Sequence, residues 1–257
     1  MERYRERATA TPTGRKIAAV PETETAPLAA GVVLASGAGT RVGASLNKVF
    51  LPLAGRPLVS WSLDAFASVP SIGVLLLVTR PQDGELVERV RADHPGARIE
   101  VVHGGATRQE SELNALRHLA GRIADGSIDV VLLHDGARPL VTPRLVTAVL
   151  EVAREHGGAV PGLSGVDIHA ATADGSRLTG RPAGELVRVQ TPQGFRAGPL
   201  LAAYEEAERA HFAGTDTASC MEQFSSVRVR WIPGEQENFK ITYAHDLAVA
   251  ERVLGHR

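Results

Sequence analysis

From Gly31 onward, short runs rich in β-formers alternate with segments of helix length, and no other feature of the chain constrains its fold as much. Strands are expected at residues 32–35, 74–78, 99–102, 130–133 and near 159–160. Helices are expected between them at 57–66, 85–91, 110–120 and 143–156. That alternation implies a mostly parallel α/β sheet with helices on both faces. The rhythm breaks at residues 163–185, a stretch rich in Gly, Ala, Asp and Thr with two short runs that could pair as a hairpin. An excursion of that length is a lid, an arm or an oligomer contact. A strand at 187–190, helices at 199–210 and after Thr215, a strand at 227–232 and a helix at 244–254 complete the pattern.

Residues 1–30 show no periodic apolar face and read as a disordered leader to one domain at 31–257. The leader lacks the apolar core of a secretory signal, and Glu2, Glu6, Glu22 and Glu24 argue against a transit peptide. Across the chain 28 basic residues meet 29 acidic ones, a net charge of −1. No global field therefore draws the chain to nucleic acid or to a membrane surface. The longest apolar runs are far shorter than the ~20 residues of a membrane-spanning helix. Cys220 is the single cysteine, so neither an internal disulfide nor a cysteine-pair zinc site is available, and a cytoplasmic setting is compatible.

The first strand runs into Ala35-Ser36-Gly37-Ala38-Gly39-Thr40-Arg41-Val42-Gly43. At a strand's carboxyl end, Gly37 and Gly39 suit either an ordinary tight turn or a nest of backbone N–H groups around a phosphate. A dinucleotide fingerprint needs Gly or Ala where Val42 stands, and a P-loop needs Ser or Thr after Lys48. The cations Arg41 and Lys48 instead suit a triphosphate losing pyrophosphate, where negative charge builds on the leaving group. Lysine occurs only at Lys16, Lys48 and Lys240 in an arginine-rich chain. A lysine kept there can serve as a compact point charge that the planar guanidinium cannot replace.

The second motif is His134-Asp135-Gly136-Ala137-Arg138-Pro139, directly after a strand. Asp135 is open to two readings, a ligand for Mg2+ or a helix N-cap with Arg138 on a solvated face. His134 reads as a packed strand-end residue rather than a catalyst.

Taken with Gln190-Thr191-Pro192-Gln193-Gly194-Phe195, Thr215-Asp216 and Phe239-Lys240-Ile241-Thr242, these motifs stand in the order and spacing of one family. Over about residues 31–254 the chain resembles the 2-C-methyl-D-erythritol 4-phosphate cytidylyltransferases and is similar to the related ribitol-5-phosphate cytidylyltransferases. The resemblance implies a Rossmann-like fold of the nucleotide-diphospho-sugar transferase type with a protruding β-arm at about 163–185. It implies CMP transfer from CTP to a polyol phosphate with release of pyrophosphate, Mg2+ as cofactor, and a homodimer joined through the arm. Arg41 and Lys48 match the family's transition-state cations, and Asp135 matches the group that engages Mg2+ and nucleotide. Ala35, Ser36, Gly37, Gly39, Gly105 and Ser111 fall on the nucleotide side; Thr215 and Lys240 match groups that position the acceptor phosphate.

The chain departs from the family at two places. Asp167 is followed by Ile168 where Thr is usual, and Ala183 stands where the family places an arginine, with Arg181 and Arg188 the nearest substitutes. The nucleotide half is intact and the acceptor half altered, which leaves ribitol 5-phosphate as an alternative acceptor. A nucleotide-binding protein without catalysis is the alternative of another class.

Overall fold

The computed structural model describes residues 27–37, 47–165 and 168–256. Its first half runs β1 (Leu28–Leu34), β2 (Pro52–Leu53), β3 (Arg56–Pro57), α1 (Leu58–Ala67), β4 (Ile72–Thr79), α2 (Gly84–Ala92), β5 (Ile99–His103), α3 (Arg108–Ala124) and β6 (Ile128–Asp135). There follow α4 (Pro143–His156), β7 (Gly158–Ser164), β8 (Ala170–Ala171), β9 (Leu178–Gly180), β10 (Val187–Val189), β11 (Gln193–Arg196), α5 (Ala197–Arg209), α6 (Thr217–Phe224), β12 (Arg230–Pro233) and α7 (Ala244–Leu254).

An eight-stranded sheet has the order β10-β7-β11-β6-β1-β4-β5, with β12 paired to β7. β11 is antiparallel to both β6 and β7, and β10 to β7, whereas the remaining pairs are parallel. The sheet is therefore mostly parallel, as expected. From β1 the chain moves outward to β4 and β5, and α3 then carries it back to β6 on the other side of β1. At such a reversal the carboxyl ends of the two strands open a crevice; here they are the ends of β1 and β6.

The central strands β1, β4 and β6 are apolar over most of their length because both faces are covered. On β6, Val130 and Leu132 pack with α1, α2 and α4, while Val131 and Leu133 pack with α3, α5 and α6. On β4, Leu75 and Leu77 face the first cluster, Leu76 and Val78 the second. Each such side chain, fully buried, contributes about 1.5–3 kcal/mol. A third, smaller cluster of Leu53, Leu58, Leu140, Ile241 and Ala250 seats α7 on the β2–β3 hairpin.

Helix α4 begins and ends where the sequence predicts. Thr142 caps it by accepting from the Leu145 N–H (3.1 Å), and Gly157 closes it at φ +95°, a conformation a side chain would resist.

Two expectations need correction. The leader of 1–30 does not extend to residue 30, because β1 starts at Leu28, and Ala29 and Ala30 are fully buried between β4 and β6. Alanine is a weak strand former, so the sequence hides this start; residues 1–26 lie outside the described residues. The central strand β11 was not expected. It is four residues long, and a Cβ on Gly194 would lie 2.8 Å from Val149 Cγ1. The excursion at 163–185 leaves the sheet after β7, carries the small exposed hairpin β8–β9, and returns as β10.

Candidate active site

Five chain segments meet at the carboxyl ends of β1 and β6: the exit of β1, the turn at residues 47–49, the first turn of α3 with the residues before it, the turn after β6, and the segment around Lys240. They enclose a cavity of about 390 Å³ whose wall includes Ser36, Gly37, Lys48, Gly105, Arg108, Ser111, Asp135 and Lys240.

Asp135 ends β6 and is buried. Its backbone N–H donates to Thr191 Oγ1 (3.0 Å). Lys240 Nζ donates to Oδ2 (2.9 Å), Arg108 donates to Oδ1, and Arg138 Nε stands 3.6 Å from Oδ2. Burial by itself would raise the pKa of this carboxyl, but Arg108, then Lys240 and Arg138, hold it well below the usual carboxylate range. Three cations thus face Asp135, and two of them, Arg108 and Lys240, line the cavity.

Arg108 is fixed from behind. Its Nε donates to Glu112 Oε1 (2.9 Å), one helical turn along, and Glu112 also accepts from the hydroxyls of Tyr204 (2.5 Å) and Thr217 (3.1 Å). Its Nη2 is a buried donor with no hydrogen-bond partner among the described residues. A buried donor left over at a cavity wall is a place for an anionic acceptor.

The other end of the cavity is built from small groups. Ser111 Oγ donates to Thr107 O (2.8 Å) and accepts from Ser36 Oγ (2.9 Å) and from the Gly105 N–H (3.1 Å). A Cβ on Gly104 would lie 2.6 Å from Ser36 Cβ and 2.7 Å from Ser111 Oγ, so only glycine lets the loop after β5 approach the exit of β1 and helix α3 this closely. Thr107 caps α3, whose N-terminal turn therefore points its partial positive charge into the cavity.

Lys48 follows Asn47 in a short 3-10 turn and is buried. Its Nζ donates to the Ile241 carbonyl (3.0 Å), so that residue and Lys240 bring two ammonium groups to the same wall. His134 is fully buried between Thr191 and the Arg138 carbonyl, and burial pushes its pKa down to about 4. It is the packed strand-end residue expected.

The structure thus brings together Lys48, Lys240, Asp135, Ser36, Gly37, Gly105 and Ser111. Ala35 lies just behind, with its carbonyl accepting from Asn47 Nδ2 (2.6 Å). Gly39 and Arg41 lie outside the described residues, as does Asp167. Thr215, Arg181 and Arg188 are exposed and do not line the cavity. Thr215 precedes Asp216, which caps α6 and accepts from Gln193 Nε2 (2.9 Å). Arg108 is the main residue that sequence reasoning missed. Its one local signal is its place just after the capping Thr107, where an arginine reads equally well as solvated.

Among the described residues no group of three or more His, Cys, Asp or Glu side chains could hold a metal ion. Asp135 is a lone carboxylate at the cavity. That donor set fits a cation that takes most of its ligands from phosphate and water, as Mg2+ does.

A family model described as 2-C-methyl-D-erythritol 4-phosphate cytidylyltransferase matches residues 29–256. The chain is 38% identical over 227 residues to an enzyme of that name from Cereibacter sphaeroides, covering 88% of this chain and 96% of the relative. It is 37% identical over 229 residues to one from Geobacter metallireducens, covering 88% and 97%. Among solved structures it is similar to the 4-diphosphocytidyl-2C-methyl-D-erythritol synthase of Anaerococcus prevotii, with TM-score 0.76, 25% identity and coverage of 89% and 96%. It is also similar to the 2-C-methyl-D-erythritol 4-phosphate cytidylyltransferase of Thermus thermophilus, with TM-score 0.65, 31% identity and coverage of 87% and 98%.

Proposed function

Because this chain belongs to the 2-C-methyl-D-erythritol 4-phosphate cytidylyltransferase family, we propose that the cavity at the ends of β1 and β6 is where it transfers CMP from CTP to that acceptor. The chain is a nucleotidyltransferase of isoprenoid biosynthesis. The observation that carries the site assignment is the convergence of Lys48, Lys240 and Arg108 on one cavity around Asp135.

In the reaction an oxygen of the acceptor phosphate forms a bond to the α-phosphorus of CTP, and the bond from that phosphorus to the bridging oxygen breaks. The electron pair leaves on pyrophosphate. The protein need form no covalent intermediate; it has to align two anions that repel each other and stabilise the charge that gathers between them. Lys48 serves the α-phosphate and the leaving group, together with Arg41. Arg108 Nη2 and the N-terminus of α3 offer further donors to the phosphates. Lys240 draws the acceptor phosphate in, and Ser36, Gly105 and Ser111 form the close-packed end that receives the nucleoside.

Asp135 is the group that would hold Mg2+, with phosphate oxygens and water completing its shell. The ion would neutralise phosphate charge. The acceptor side draws on Thr215, Arg181 and Arg188, of which Arg181 lies in the arm and Arg188 on β10 just after it, and the arm joins two copies in a homodimer. Support for an arm contact comes from Leu178, 66% exposed on β9. A cytoplasmic place agrees with balanced charge, the single cysteine and the lack, among the described residues, of any helix long and apolar enough to cross a membrane.

The test is pyrophosphate release from CTP and Mg2+ with methylerythritol 4-phosphate and ribitol 5-phosphate offered separately. Turnover is expected with the first, and Lys48→Ala should lower it at least a hundredfold with the fold retained. Turnover with ribitol 5-phosphate alone would overturn the acceptor assignment. CTP binding without turnover on either would remove the catalytic reading.

A further inference from the structure

Asp83 lies outside the cavity, at the end of the turn that follows β4, yet it is only 3% exposed. Its Oδ2 accepts from Asn47 Nδ2 (3.0 Å) and from Arg80 Nε (2.8 Å), and its Oδ1 from Arg80 Nη2 (2.6 Å). Asn47, 1% exposed, donates through the same Nδ2 to the Ala35 carbonyl (2.6 Å), and its Oδ1 accepts from the Val49 N–H (3.4 Å). One side-chain amide therefore ties the end of β1 to the turn that carries Lys48. The Lys48 ammonium is held at its far end by the Ile241 carbonyl (3.0 Å).

An asparagine alone can cap such a turn, so the buried carboxylate needs a reason. Removing a charge from water costs several kcal/mol unless it is paired, and here Arg80 pairs it. A carboxylate accepts and never donates when ionised. It therefore draws the NH2 of Asn47 toward itself and toward Ala35, which leaves Oδ1 for Val49. A neutral amide in its place keeps one acceptor but sets an NH2 against Asn47 or Arg80, so at least one of these three hydrogen bonds is lost and the tie between β1 and the Lys48 turn loosens.

We infer that Asp83, acting through Asn47, is a positioning residue that sets where the Lys48 ammonium stands in the cavity. The inference rests on the reading of Lys48 as a transition-state cation. A double-mutant cycle tests it, with kcat and KM measured by pyrophosphate release and folding followed by thermal melting. Asp83→Asn should lower kcat tenfold or more while the KM for the acceptor stays within twofold. In a Lys48→Ala background the same substitution should change kcat by less than twofold, because the group it positions is gone. Equal fractional losses in both backgrounds would show a general structural role and overturn the inference while leaving the reading of Lys48 intact. No loss on Lys48→Ala alone would overturn both. Should Asp83→Asn melt below the assay temperature, Asn47→Ala carries the same cycle, since it leaves the Arg80–Asp83 pair in place.

Discussion

His134 and Asp135 are neighbours on β6, and both have a pKa below the ordinary value for different reasons. Burial lowers His134, whereas for Asp135 the surrounding cations outweigh a burial that acts the other way. Hydrogen bonds fix the histidine's tautomer. The Arg138 carbonyl can only accept, so the neutral ring donates to it through Nε2–H (3.2 Å), and Nδ1 accepts from the Thr191 hydroxyl (3.0 Å), whose oxygen also accepts from the Asp135 N–H. The pKa of His134 falls from 6.5 to about 4 on folding. Between those values the unfolded chain binds a proton that the folded chain refuses, so this contribution is complete above pH 6.5 and is lost as the pH falls toward 4. At pH 4.5 the loss is on the order of 2–3 kcal/mol. Glu112, pushed upward by burial, acts with the opposite sign above its ordinary value. The difference between wild type and His134→Gln therefore isolates the histidine. Urea unfolding at pH 7 and pH 4.5 should show the variant gaining about 2–3 kcal/mol on the wild type over that interval; a constant difference would mean that His134 titrates normally. At this scale the sequence shows Lys48, Asp135 and Lys240 as candidates through a scarce residue type and a strand-end carboxylate. Arg108 and Asp83 stay hidden, because only the strand order brings the turns after β4 and β5 beside β1 and β6.

Helix α7 is legible as an element, since its bounds match the predicted 244–254, but its role is not. Ala250 is its one buried residue among those described, and the cluster it joins uses Leu53 from a two-residue strand that no periodicity reveals. Yet α7 follows directly on the segment that completes the site. Asp246 in its first turn accepts from the Thr242 N–H (2.7 Å) and the Tyr243 N–H (2.8 Å). Just upstream, Ile241 N–H donates to the Ala137 carbonyl (2.8 Å), and its own carbonyl receives Lys48. Ala250→Asp puts an unpaired charge into this small cluster, which undocks α7 or shifts the carboxyl out of the seam. The two large clusters on the main sheet share no residue with it. Turnover should fall at least tenfold while the main unfolding transition keeps its amplitude and cooperativity. Full turnover in the folded variant would show that residues 238–241 hold the site without the helix. The strand β11 teaches the same lesson: its pairing with β6 and β7 is set by the sheet, and the sequence offers only a glycine that must be small.

For the whole molecule the two halves of the site differ in kind. Among the described residues, the end of the cavity proposed for the nucleoside is held by contacts within one chain, whereas Arg181 and Arg188, the proposed substitutes for the guanidinium missing at Ala183, are exposed and do not line the cavity. Their placement was beyond the sequence because an arm finds its position from what it packs against. A homodimer in which each arm serves the partner's cavity gives Arg181 a task, while Arg188 stays on β10, and removing the arm tests it. The cut is structurally mild, because the Gly165 N–H already donates to the Leu186 carbonyl (2.6 Å) and Ser164 pairs with Val187, so the ends close as a short hairpin between β7 and β10. Deleting residues 166–185 should convert a dimer to a monomer on gel filtration and leave the KM for CTP within twofold. It should raise the KM for methylerythritol 4-phosphate at least tenfold, since one charged hydrogen bond to a phosphate contributes about 1.5–3 kcal/mol and 1.4 kcal/mol is about a factor of ten. A monomer with unchanged acceptor KM would confine the arm to assembly. A dimer that survives the deletion would move the subunit contact elsewhere, with the edge strand β12 and its half-exposed Trp231 the next surface to examine.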